Sequence, residues 1–162
     1  MVVCLRDFRN GVRRRVGYPA LFVVVVATAV ACGRSADGPH GTIAPPDVAA
    51  PPQDATVTPT GLAFRVLASG PSGGHPGPNA VVVVNYTGWT TDGTIVEGAP
   101  VGSPPVTIRL SETMPGWKEG VQLMRAGDKY RFWIPPALTY GDQAGKPRGM
   151  LVYDIHLVKF VE

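Results

Sequence analysis

The sequence SETMPGWKEGVQLM, residues 111–124, decides the fold, because a proline, a glycine and a tryptophan together open one short helix. Pro115 suits the first turn of a helix, where a missing N–H costs nothing. Trp117, Val121 and Met124 recur at i, i+4 and i+7, so they share one apolar face. The pattern predicts a helix that lies with one side on a sheet. Taken alone, it fits an ordinary core tryptophan and a functional one equally well.

The stretches around this helix alternate apolar and polar residues with period two, which is typical of strands. Most are joined by short turns, which favours antiparallel pairing. One short helix among five or six such strands predicts the α+β class, with an antiparallel sheet curled over the helix. The predicted strands are residues 62–67, 80–87, 95–97, 106–110, 129–134 and 150–161.

Four aromatic residues are expected to converge in this fold. The inward faces assigned to the strands and the helix place Tyr86, Trp117 and Tyr153 toward one another, with Tyr140 on the loop before the last strand. Almost no ionisable side chain accompanies them. The set therefore predicts an apolar cleft rather than an acid–base or nucleophilic site.

Charge and cysteine content exclude several classes of function. The net charge is +3, but residues 1–31 carry five arginines and one aspartate, so the remainder is close to neutral. Without a basic stripe, no nucleic-acid binding is expected. No cysteine follows Cys32, and the three histidines show no ligand spacing, so neither a metal nor a cofactor is indicated.

Residues 1–31 have the order of a secretory signal, with arginines before the apolar run of residues 20–31. The run is short for a membrane span. The tail Ala29-Val30-Ala31-Cys32 resembles the bacterial lipobox, which makes Cys32 the expected lipidation site. Ala29 departs from that motif, where leucine is preferred. There are two alternatives to lipidation: the N-terminal segment is cleaved without a lipid being added, or it stays uncleaved and anchors the chain.

Residues 32–60 are expected to form a lipidated N-terminus and a proline-rich linker, because they hold almost no large apolar residue. Such a segment should stay extended and hold the domain, residues 61–162, off a membrane. Plain disorder without a spacer role predicts the same composition.

Six short sequence blocks follow one another across residues 60–162. They are YTG with DG (86–88, 92–93), MPGWKEGV (114–121), LMxxG (123–127), IP (134–135), YG (140–141) and LVYDI (151–155). Together, and in this order, they resemble the FKBP-type peptidyl-prolyl cis-trans isomerases. The approach to the helix is similar to the bacterial envelope branch typified by the macrophage infectivity potentiator proteins.

The resemblance implies a half-barrel of antiparallel strands around the helix, with a proline ring held on Trp117. The backbone N–H of Met114 and the hydroxyl of Tyr140 are the implied contacts to the substrate carbonyls. Tyr86 is the implied wall, and Thr113 lies at the rim. The implied activity moves no proton and uses no cofactor.

Several positions depart from the family pattern. Val96 and Val106 stand where aromatic residues are usual, Glu97 replaces an aspartate, and Tyr153 replaces a phenylalanine. These residues are expected to line a wider substrate cleft, which counts against macrolide affinity more than against proline binding. Glu97 is equally compatible with an ordinary exposed acid.

Two classes of function follow from the resemblance. The preferred one is a lipid-anchored isomerase of the cell envelope that acts on X-Pro segments of exported proteins, with macrolide immunosuppressants as a further ligand class. The alternative is a peptide-binding chaperone or adaptor with little or no isomerase activity, motivated by Val96 and Val106.

Overall fold

A computed structural model of the chain describes residues 43–71 and 73–162. The expected signal peptide, residues 1–31, and the expected lipidation site, Cys32, lie outside the described residues. Within the described part, no helix combines the length and apolarity needed to span a bilayer.

The described chain has seven strands and one α-helix, which confirms the α+β class but exceeds the predicted five or six strands. The helix α1 is Pro115–Gln122, and two 3-10 turns are Leu110–Glu112 and Pro136–Leu138. The strands are β1 Thr56–Val57, β2 Ala63–Ala68, β3 Val81–Thr90, β4 Ile95–Ala99, β5 Val106–Arg109, β6 Lys129–Ile134 and β7 Leu151–Val161.

All strand pairs are antiparallel, in the order β1-β2-β6-β7-β3-β4. The longest pairing joins β3 to β7, from Val81 opposite Val161 to Thr90 opposite Leu151. On the other side of β3, β5 pairs with its first half and β4 with its second half. The sheet is therefore the expected half-barrel, and its centre lies on β3 and β7.

The helix lies against the inner face of the sheet through the predicted side chains. Val121 and Met124 are fully buried, and Trp117 is 4% exposed. Two glycines allow this close approach: a Cβ at Gly116 would stand 2.3 Å from Cγ2 of Ile134, and one at Gly120 would stand 2.8 Å from Cε1 of Phe132. Both contacts are on β6, so the glycines in PGWKEG set the distance between helix and sheet.

The outer face of the sheet is covered in part by residues 45–57, which were expected to be extended linker. Trp133, whose side chain lies on the outer side of β6, is only 1% exposed and packs with Val48 and Ala55. Its Nε1 donates to the backbone oxygen of Asp47 at 2.9 Å. The Asp47 carboxylate accepts from Nη1 of Arg131 at 2.6 Å. Short apolar side chains, together with ion pairs of Asp47 and Asp54 to Arg65 and of Asp47 to Arg131, thus attach this segment to the domain without a long hydrophobic run.

Candidate active site

A cleft of about 190 Å³ opens at the N-terminal end of α1, between the helix, the sheet and the loop after β6. It contains six residues that the sequence assigned to the site. They are Tyr86, Glu97, Thr113, Met114, Trp117 and Tyr140.

Trp117 lines the cleft between two tyrosines. Its ring meets that of Tyr86 at a centroid distance of 4.9 Å and an interplanar angle of 87°. It meets that of Tyr153 at 5.5 Å and 85°. Edge-to-face pairs of this kind are favourable and orient the rings. The indole Nε1 is buried and has no hydrogen-bond partner among the described residues, so no polar contact competes for this surface.

Met114 forms the rim of the cleft as the residue that precedes the helix. Its backbone is extended, with φ −61° and ψ 154°, because Pro115 follows at the first helical position. Its carbonyl oxygen accepts from the N–H of Lys118 at 3.1 Å. Within the described residues the Met114 N–H donates no hydrogen bond, so this donor remains available beside the indole.

Glu97 occupies the opposite wall and accepts hydrogen bonds from two tyrosines. The Tyr153 hydroxyl donates to its Oε1 at 2.5 Å, and the Tyr140 hydroxyl donates to the same oxygen at 3.2 Å. Of the two interpretations of Glu97, the structure favours the acid of the cleft over an ordinary exposed acid.

The tyrosines around Glu97 hold their protons tightly. Burial, followed by the negative charge of Glu97, raises the pKa of Tyr140 to about 12. The same two causes raise the pKa of Tyr86. Burial and the hydrogen bond to Glu97 raise the pKa of Tyr153. The three hydroxyls are therefore protonated and uncharged near pH 7, and those of Tyr140 and Tyr153 donate to Glu97.

Three residues expected to contact substrate, Val96, Val106 and Tyr153, are not in the lining of this cleft. Val96 is the extra residue of a bulge, since Glu97 pairs with Gly88 and Ile95 with the adjacent Trp89. Val106 packs against the core. Tyr153 is fully buried beneath the cleft, where its ring packs against Trp117 and its hydroxyl donates to Glu97.

Three other residues line the cleft that the sequence patterns did not identify as site residues. Ile108 lies two residues after Val106 on β5, so the alternation of that strand could have identified it. Glu112 and Lys146 come from a 3-10 turn and a loop, where no periodicity exists. Nζ of Lys146 lies 4.7 Å from the ring centroid of Tyr140, a cation–π contact.

A larger groove of about 380 Å³ lies on the outer face of the sheet. Its lining includes Arg131 and Asp154, whose side chains hydrogen-bond each other at 2.6 and 2.9 Å. The rings that line the smaller cleft, apart from Tyr86, are absent from its lining. The smaller cleft is therefore the better candidate for an aromatic binding site.

Comparison with known proteins places this geometry in a family. Residues 73–158, more than half of the chain, match the model of the FKBP-type peptidyl-prolyl cis-trans isomerases. The chain is 37% identical over 106 residues to the outer membrane protein MIP of Legionella longbeachae, covering 63% of the chain and 45% of that protein. It is 39% identical over 107 residues to the probable FKBP-type isomerase FkpA of Neisseria meningitidis serogroup B, covering 63% and 39%.

The structure resembles that of a peptidyl-prolyl cis-trans isomerase from Pseudomonas syringae, with a TM-score of 0.62 and 30% identity over 68% of this chain and 84% of that one. The chain spans less than half the length of the two relatives named above. The family model and these matches agree with the six sequence blocks and with the half-barrel around α1. The chain therefore belongs to the family of FKBP-type peptidyl-prolyl cis-trans isomerases.

Proposed function

We propose that this protein is a peptidyl-prolyl cis-trans isomerase that acts on X-Pro segments of exported, unfolded proteins. The observation that carries the proposal is the Trp117 indole in the cleft, held between Tyr86 and Tyr153 at nearly right angles to both. This arrangement offers a proline ring an aromatic surface of fixed orientation. Membership of the family supports the same activity.

The chemistry requires no proton transfer. Rotation about an X-Pro bond is slow because amide resonance is lost, with a barrier of about 18–20 kcal/mol. Water favours the resonance form, whose charges are separated, so an apolar surface should favour the twisted amide. The buried indole and the neutral tyrosines supply such a surface.

Two donors are placed to hold the substrate backbone. The Met114 N–H at the rim and the Tyr140 hydroxyl on the facing loop both border the cleft. In this proposal each donates to a carbonyl oxygen of the substrate, which fixes the peptide on both sides of the bond that turns. Thr113 lies beside Met114 and shapes the rim.

Magnetisation-exchange NMR on an Ala-Pro peptide tests this function. The purified chain should accelerate exchange, and Tyr140→Phe should lower the acceleration by about tenfold, the worth of one hydrogen bond at the upper end of its range. Tyr130→Phe is the matched control, since it also removes a hydroxyl but lies outside the cleft lining. Exchange no faster than in buffer would discard the isomerase function.

The second candidate is a peptide-binding chaperone or adaptor with little catalysis. The displacement of Val96 by a bulge and the packing of Val106 into the core favour it, because the cleft then lacks aromatic walls at these positions. Saturable binding of the peptide without accelerated exchange would select this function over the first.

We further propose a location in the cell envelope, with a lipid on Cys32 and residues 33–44 as the spacer. The sequence AVAC and the name of the Legionella longbeachae relative, an outer membrane protein, support this location. Labelled palmitate should mark the wild type and not Cys32→Ala. Label on neither protein, with both still in the membrane fraction, would favour an uncleaved anchor instead.

Macrolide immunosuppressants are a further proposed ligand class, through the same cleft. The missing aromatic walls at Val96 and Val106 predict weaker binding than a narrower cleft would give. Inhibition of the exchange reaction by a macrolide would support the shared site.

A further inference from the structure

We propose that Tyr153 is a positioning residue of this site. Its hydroxyl fixes the Glu97 carboxylate, and this allows the Tyr140 hydroxyl to leave Glu97 for the substrate carbonyl. The proposal rests on the isomerase function proposed above. It gives Tyr153 a role beneath the cleft instead of the substrate contact that its position in the sequence implied.

The two hydrogen bonds to Glu97 are unequal. Both hydroxyls donate to Oε1, Tyr153 at 2.5 Å and Tyr140 at 3.2 Å. A distance near 2.5–2.7 Å is typical of a strong bond from a hydroxyl to a carboxylate, whereas 3.2 Å lies beyond the usual range of about 2.5–3.0 Å for hydroxyl donors. The Tyr140 bond is therefore the weaker one, and it is the one that opens more easily.

The two tyrosines also differ in freedom. Tyr153 is fully buried on β7, and its ring lies against Gly88, where a Cβ would stand 2.4 Å from Cε1. Tyr140 lies on the loop after β6, is partly exposed and lines the cleft. One hydroxyl is thus fixed by packing, and the other borders the space where substrate would bind.

This inequality has a consequence when substrate arrives. If Tyr140 turned to a substrate carbonyl and Glu97 had no second donor, a partly buried carboxylate would lose its hydrogen bond, which is costly. The Tyr153 hydroxyl keeps Glu97 satisfied. Tyr140 can then change partner at low cost, so Tyr153 raises the rate without contacting the substrate.

A double-mutant cycle tests the proposal with four proteins: wild type, Tyr153→Phe, Tyr140→Phe and the double variant. Tyr153→Phe retains the ring, so the packing is preserved. We expect it to lower kcat/KM about fivefold in the wild-type background, within the range for coupled members of one network, and to change nothing in the Tyr140→Phe background. Equal losses in both backgrounds would indicate a purely structural role, and no loss in either would also overturn the proposal.

A second readout separates this proposal from the isomerase function. The ¹³Cζ resonance of Tyr140 reports its hydrogen bond whether or not the protein catalyses exchange. Tyr153→Phe should shift this resonance, because Tyr140 becomes the sole hydroxyl donor to Glu97 within the described residues, and Glu97→Gln should shift it in the opposite direction. If the wild type accelerates nothing, the isomerase function fails. If Tyr153→Phe leaves this resonance unmoved, the positioning role fails.

Discussion

The rings of Tyr86 and Trp117 meet at 87° with their centroids 4.9 Å apart, so a residue of β3 orients the indole presented by α1. Among the described residues, burial and the charge of Glu97 act on the Tyr86 hydroxyl, and no hydrogen bond does. The ring, rather than the hydroxyl, is therefore the part of Tyr86 that holds Trp117.

Substitutions at Tyr86 should separate these two parts. Tyr86→Phe keeps the edge-to-face pair, and we expect kcat/KM to stay within about twofold of wild type. Tyr86→Leu removes a contact worth about 0.5–1.5 kcal/mol beyond its area, so kcat/KM should fall by up to about tenfold. Exchange kinetics on a proline peptide measure both. If Tyr86→Leu were as active as the wild type, this result would contradict the role of the Tyr86 ring as a wall of the cleft.

Removal of residues 1–60 should leave the domain less stable than removal of residues 1–42. The form that lacks residues 1–60 loses Val48 and Ala55, which cover Trp133. It also loses Asp47, which accepts hydrogen bonds from Trp133 and Arg131. Burial of this apolar area is worth about 2–4 kcal/mol. Urea unfolding of the two forms measures the difference. Equal free energies of unfolding would mean that residues 43–60 contribute no stability.

Gly88→Ala should destabilise the protein by about 1–3 kcal/mol, because an added Cβ would stand 2.4 Å from Cε1 of the buried Tyr153 ring. Gly73→Ala is the matched control, since its Cβ would meet nothing within 4 Å, and it should stay within about 0.5 kcal/mol of wild type. Thermal unfolding compares the three proteins. A Gly88→Ala variant as stable as the control would contradict the packing of Tyr153 beneath the cleft.

Alkaline pH should destabilise the fold through the tyrosines around Glu97. The pKa of Tyr140 is raised from 10.0 to about 12, so the folded state keeps a proton that the unfolded chain releases. This difference in pKa stabilises the folded state fully below pH 10, and the stabilisation is lost as the pH rises toward 12. Through Tyr140, the free energy of unfolding should fall by less than about 1.4 kcal/mol for each pH unit, because solvent screens this partly exposed group.

Urea unfolding at pH 8 and pH 11 measures this loss, and Tyr140→Phe should show a smaller one. A loss of the same size in Tyr140→Phe and wild type would assign the effect to other groups.

The helix, its buried face and most strands could be predicted from sequence, because Trp117, Val121 and Met124 follow the helical period and β7 alternates with period two. The packing of residues 45–57 on Trp133 could not be predicted, because it depends on a backbone carbonyl and an ion pair of Asp47 rather than on a hydrophobic run. The bulge at Val96 is likewise invisible to an alternation pattern, which assumes regular pairing.

In the site, the aromatic residues were predictable because their family blocks are ordered along the chain. Lys146 was not, because it belongs to an irregular loop whose approach to Tyr140 depends on the fold. The link between Tyr153 and Tyr140 through Glu97 also joins residues from three separate elements, and no local pattern records it.

The most direct test of the central claim is NMR of the purified chain with an excess of an Ala-Pro peptide, recording cis-trans exchange and intermolecular NOEs together. We predict accelerated exchange, with NOEs between the proline ring protons and the indole protons of Trp117. Accelerated exchange with the proline ring located at the outer groove, or NOEs to Trp117 without acceleration, would contradict the claim that the prolyl bond turns on the face of this tryptophan.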